Sequence, residues 1–109
     1  MPLTSEHITT NEILSRRVNE AIEEGRRDRE GLVPFVCECG VLGCNDVVEV
    51  TLNEYEAVRA GSRCFLVVPG HGADFDVVRL VTERYAIVRK PEGPLGDHAE
   101  RTDPRREVD

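Results

Sequence analysis

Three cysteines stand within eight residues, Cys37, Cys39 and Cys44, in the run Phe-Val-Cys-Glu-Cys-Gly-Val-Leu-Gly-Cys, and a histidine follows a Pro-Gly turn at Pro69-Gly70-His71. Thiolate and imidazole are the donors that borderline-soft zinc prefers, and a structural zinc takes four of them in a tetrahedron. Gly40 and Gly43 free the backbone to curl, so that Cys44 turns back toward Cys37 and Cys39 at the end of a strand. A tight turn of this kind also presents backbone N-H groups to metal-bound sulfur. The spacing Cys-x-Cys-x4-Cys is a single knuckle, not the double Cys-x-x-Cys of the common zinc modules, so the fourth ligand must come from elsewhere in the chain.

Two residues compete for that place. His71 lies on a Gly-flanked turn and aims its ring freely, whereas Cys64 opens the run Cys64-Phe65-Leu66, where a free cysteine serves well as a small apolar core residue. His71 is the favoured ligand and Cys64 the alternative; His7 and His98 lie in segments read as frayed and are assigned to solvent. Three thiolates and one imidazole leave no open position for water, which makes the expected site structural and the protein not an enzyme. Glu38 and Asp46 flank the cysteines and are expected to be solvated. The same cysteines would serve, if reactive, as a redox or metal-responsive switch.

The elements that must position these residues follow from pattern. Thr10-Asn11-Glu12 starts a helix expected over residues 11 to 24, with Ile13, Leu14, Val18, Ala21 and Ile22 inward and Arg16, Arg17, Glu20, Glu23 and Glu24 on the wet side. Leu32 to Val36 is the first strand. Asp46 to Leu52 alternates β-branched and polar residues as a second strand, and Thr51-Leu52-Asn53-Glu54 is a capping box for a short helix through Ala60. That helix brings Tyr55 and Arg59 together as a candidate interaction surface. Cys64 to Val68 is a buried strand, and Val77 to Val81 with Tyr85 to Val88 makes a hairpin over Thr82-Glu83-Arg84. The expected fold is α+β, an N-terminal amphipathic helix, a small antiparallel sheet and a short helix stapled by the knuckle. Its bounds are a flexible N-terminus over 1 to 10, one domain over 11 to 90, and a disordered tail over 91 to 109.

Composition agrees with one small metal-stapled core. The chain has 109 residues, no Trp, two Tyr and three Phe, so its core rests on Val, Leu and Ile, and cores of that size gain most from a metal. The net charge of −7 is spread along the chain without a basic stripe, which makes nucleic acid an unlikely partner and points to a protein partner. The longest apolar run, Phe65 to Val68, is too short to cross a membrane, and no secretory pattern opens the chain, so a soluble cytoplasmic protein is expected. In that reducing compartment cysteines are thiols or ligands. The N-terminal helix would also suit a homodimer.

The order of motifs resembles a family of short uncharacterised actinobacterial proteins. The residues that carry the resemblance are Val18-Asn19-Glu20, Cys37-Glu38-Cys39, Cys44, Glu54-Tyr55-Glu56 with Val58-Arg59, Pro69-Gly70-His71, Tyr85-x-Ile87-Val88-x-Lys90 and Thr102-Asp103-Pro104-Arg105. The similarity spans about residues 11 to 106, and it implies that Cys37, Cys39, Cys44 and His71 occupy motif positions while Cys64 does not. It implies no activity. The Gly-Val-Leu-Gly loop of this knuckle stands where the pattern is more acidic or polar. The resulting expectation is a small zinc-binding interaction or regulatory module.

Overall fold

The computed structural model describes residues 5–41, 43–73 and 75–107. Its elements are helix α1 (Ser5–Gly25), strands β1 (Val33–Val36) and β2 (Val47–Val50), helix α2 (Leu52–Arg59), strands β3 (Cys64–Val67), β4 (Val77–Val81) and β5 (Ala86–Arg89), helix α3 (Pro94–Arg101) and a 3-10 turn over Pro104–Glu107. The fold is α+β. The strands form two antiparallel sheets instead of one, β1-β2 and β3-β5-β4. The knuckle joins β1 to β2, and the turn carrying His71 joins β3 to β4.

The second strand runs straight into α2 because Thr51 caps it. Its hydroxyl accepts from the Glu54 N-H at 3.1 Å, and the Glu54 carboxylate accepts from the Thr51 N-H at 2.8 Å, so two otherwise orphaned donors are satisfied. Helix α2 then lays Tyr55 and Val58 into the core, where Tyr55 stacks on Phe35 with centroids 4.4 Å apart and planes 7° from parallel. Val33, Val48, Val50, Phe65, Leu66, Val67, Ala86 and Val88 complete this core.

Helix α1 is longer than its pattern predicts and is rotated, so that Ile13 and Ile22 stay inward as expected while Leu14, Val18 and Ala21 face solvent. It begins at Ser5, inside the segment expected to be loose, and residues 1–4 lie outside the described residues. Its buried positions are Thr9, Glu12, Ile13, Arg16 and Asn19, while Leu14 and Val18 stand 56% and 49% exposed. The reason is what the helix faces. Arg16 donates to the carbonyls of Ser62 and Ala99 at 2.7 and 2.8 Å and lies over the Phe65 ring, and Asn19 exchanges hydrogen bonds with the backbone of Val36 at 2.9 and 2.8 Å. A surface of unpaired backbone groups has to be answered by donors and acceptors, and that requirement overrides the apolar periodicity.

Against the expectation of a disordered tail over 91 to 109, the C-terminal segment forms α3 and the 3-10 turn through Glu107; residues 108–109 lie outside the described residues. Arg63 pairs with Asp97 and Glu100 of α3 at 2.8 and 3.2 Å, and Ala99 is fully buried. Arg59 meets Asp103, and Arg105 reaches Glu20, Glu23 and Glu56 at 2.8, 3.0 and 2.6 Å. Composition failed here because arginine–carboxylate pairs, with little apolar burial, hold the segment.

Candidate metal centre

The cysteine half of the site is a loop closed at both ends. Strand β1 delivers Cys37, whose N-H donates to Asp46 O at 3.0 Å, and Cys44 N-H donates to Val41 O at 3.1 Å. Gly40 has φ +74° and Gly43 φ +86°, and an added Cβ at Gly40 would meet the Ile8 carbonyl and stand 2.8 Å from Glu12 Cγ. Only glycine both adopts that backbone and leaves room for α1 at this point. The histidine half is a turn closed by His71 N-H to Val68 O at 2.9 Å.

These halves meet. The side-chain donor atoms of Cys37, Cys39, Cys44 and His71 all lie within 4.8 Å of one another. His71 Nδ1 is 3.7 Å from Cys37 Sγ and 3.8 Å from Cys44 Sγ. Zinc bond lengths of about 2.3 Å to sulfur and 2.0 Å to nitrogen place tetrahedral donors about 3.5 to 3.8 Å apart, so these two nitrogen–sulfur edges are close to those of a zinc tetrahedron. Val68 N-H donates to Cys37 Sγ at 3.3 Å, a hydrogen bond that favours the thiolate. On the far side of the imidazole, Nε2 faces Asp46 Oδ2 at 3.6 Å.

Cys37 and Cys39 are buried, while Cys44 and His71 are half-buried. Burial pushes the Cys37 and Cys39 thiols above their ordinary range. A cation among them would reverse that preference, since ligating thiols deprotonate. The residues present therefore fit a soft divalent ion. Cys64 stands apart from this group, at the start of β3 opposite Arg89.

Several expected positions are corrected. Glu38 is fully buried, not solvated; its carboxylate accepts from Asn19 Nδ2 at 2.7 Å and from Leu66 N-H at 2.8 Å, and its own N-H donates to Leu66 O at 2.7 Å. It bolts the knuckle to α1 and β3, and burial raises it to about 7. Tyr55 and Arg59 are not a surface: they are 0% and 4% exposed, and Arg59 pairs with Glu20 at 2.5 Å and with Asp103. The burial of both follows from the Phe35 stack and from carboxylates that no local pattern reveals. His7 and His98 lie within α1 and α3, not in frayed ends; His7 is exposed and His98 half-buried.

Sequence reasoning also missed Asn11 and Asp76. Asn11 Nδ2 donates to the Gly40 carbonyl at 3.1 Å, and Asp76 closes the turn after His71 by accepting from Ala73 N-H at 3.1 Å. Polar side chains on a helix and in a loop carry no signal that they will be bound inward. Beside the cysteines a shallow cleft of about 230 Å³ is lined by Leu14, Ser15, Cys37, Val41 and Cys44. No helix among the described residues is long and apolar enough to cross a membrane. The chain matches no family model, no curated protein and no solved structure.

Proposed function

We propose that the protein is a small metal-stabilised interaction or regulatory module whose Cys37, Cys39, Cys44 and His71 hold a structural zinc. The observation that carries this reading is the approach of all four donor atoms to within 4.8 Å from two loops far apart in sequence. Bound metal supplies a cross-link between the β1–β2 knuckle and the β3–β4 turn. Softness of the donor set favours zinc over harder divalent ions. Four protein ligands complete a tetrahedron, so the site is read as structural and the protein as not an enzyme. A cytoplasmic setting and a protein partner, not nucleic acid, suit the cysteine chemistry and the acidic charge.

The alternative, a thiol redox switch, is the weaker reading, because buried thiols with raised pKa are inert as nucleophiles. For the partner we favour a second copy of the chain through α1. Leu14, Val18 and Ala21 form a solvent-facing stripe at spacings of four and three, and Arg17 and Glu24 flank it seven residues apart. An antiparallel pair of such helices would set Arg17 of each copy against Glu24 of the other.

Metal content by elemental mass spectrometry on the wild type, His71→Ala and Cys64→Ala tests the site. About one zinc per chain, lost with His71→Ala and kept with Cys64→Ala, is expected. A wild type purified from metal-replete cells without zinc or iron would overturn it. Sedimentation of Leu14→Gln/Val18→Gln beside the wild type tests the partner, with a dimer for the wild type and a monomer for the variant expected.

A further inference from the structure

We propose that Glu12, Lys90 and Asp76 form a positioning network that fixes the His71 turn to the same turn of α1 that fixes the cysteine knuckle, and thereby sets how tightly the centre holds its metal. The inference rests on the Cys3His reading above.

The two halves of the ligand set lie on connections of different sheets, and the ligands nearest in sequence across them, Cys44 and His71, are 27 residues apart. One turn of α1 touches both halves. Asn11 donates to the Gly40 carbonyl of the knuckle at 3.1 Å. Its neighbour Glu12 is fully buried, with Oε1 standing 2.5 Å from Lys90 Nζ. Lys90 Nζ donates in turn to Asp76 Oδ1 at 2.7 Å, and the other Asp76 oxygen accepts from Ala73 N-H at 3.1 Å. Asp76 N-H donates to Ala73 O at 2.9 Å, so the 73–76 turn is closed twice. This turn follows His71 directly, and an added Cβ at Gly72 would stand 2.9 Å from Val88 Cγ1, which holds the turn close against β5.

Lys90 itself has no freedom to follow a moving loop. Its N-H donates to Arg63 O at 2.9 Å, and its ammonium stands 5.8 Å from the Phe65 ring and 4.8 Å from the Phe75 ring. All three side chains are essentially sealed from water, at 0%, 0% and 1% exposure. Glu12 also leaves its second oxygen without a hydrogen-bond partner. Such a group is a poor device for stability, because apolar residues of equal volume are often as stable or more so. What a buried ion set does is select one geometry, since any other placement of the turn strands a charge. The geometry selected here is the one that brings Nδ1 of His71 to 3.7 and 3.8 Å from two sulfurs.

The test compares zinc affinity, by competition with a chromophoric chelator, and the ligand-field spectrum of the cobalt-loaded protein. The variants are the neutral set Glu12→Gln/Lys90→Met/Asp76→Asn, the single Asp76→Asn, and Val58→Ala, a core truncation in α2 away from the site. The neutral set removes every charge together, so none is left stranded. The expected result is about a tenfold or greater loss of affinity with an altered cobalt spectrum in the neutral set, a smaller loss in Asp76→Asn, and wild-type metal binding in Val58→Ala despite its lower stability. Should the neutral set fail to fold, Asp76→Asn alone decides. Wild-type affinity and spectrum in whichever folded network variant is measured would overturn the inference while leaving the Cys3His reading intact. A wild type that binds neither zinc nor cobalt would overturn that reading first, and this inference with it.

Discussion

Asp46 Oδ2 lies 3.6 Å from His71 Nε2, across the imidazole from the sulfurs that face Nδ1. At that distance the carboxylate makes no hydrogen bond, but its charge on that side favours the tautomer with the proton on Nε2, which leaves Nδ1 free toward the sulfurs. The Asp46 side chain is 59% exposed, so its effect belongs at the low end of the usual range for such partners. Asp46→Asn is expected to weaken zinc binding by about tenfold without lowering the stability of the metal-free chain, measured by chelator competition and by thermal unfolding in excess chelator.

Arg59 and Tyr55 act on the fold and not on a partner. Arg59→Ala leaves Glu20 with Arg105 and the buried Asp103 carboxylate with only the Arg105 N-H, and is expected to cost about 3 kcal/mol. Tyr55→Ala removes the ring stacked on Phe35 and is expected to cost roughly 3 to 5 kcal/mol. Denaturant unfolding of both variants checks this. A stable Arg59→Ala protein would return that residue to the surface.

Removing residues 102–109 takes away Asp103 and Arg105, and with them the ion pairs that fasten the chain end to α1 and α2. The truncated protein is expected to melt at least about 5 °C lower than the full chain by differential scanning calorimetry. A disordered tail would give no change.

Two carboxylates tilt stability with pH in opposite senses. Hydrogen bonding from Arg84 holds Glu54 down at about 2, below its ordinary 4.5, so its contribution is full above about pH 4.5 and is lost as pH falls toward 2. Burial, opposed by Lys90, pushes Glu12 up to about 8, so the folded state holds that proton more firmly and the contribution fades as pH rises from about 4.5 to 8. Stability measured against pH for Glu54→Gln should lose part of the acid limb, and for Glu12→Gln part of the decline toward pH 8.

By itself the sequence determined the short-range features of this protein. The cysteine spacing and its glycines, the capping box at Thr51 and Glu54, the hairpin across Thr82 to Arg84 and the freedom of His71 on its turn are all local, and each is dictated within a few residues. Tertiary structure alone decided which face of α1 turns inward, because that depends on the carbonyls of Ser62, Ala99 and Val36 waiting opposite it. It decided likewise that Glu38, Arg59 and Lys90 are buried and that the C-terminal segment is ordered, since a charged side chain enters a core only where a partner from a distant segment meets it. The donor types of the candidate metal centre are thus written in the chain, and their arrangement depends on long-range polar contacts that no periodicity encodes.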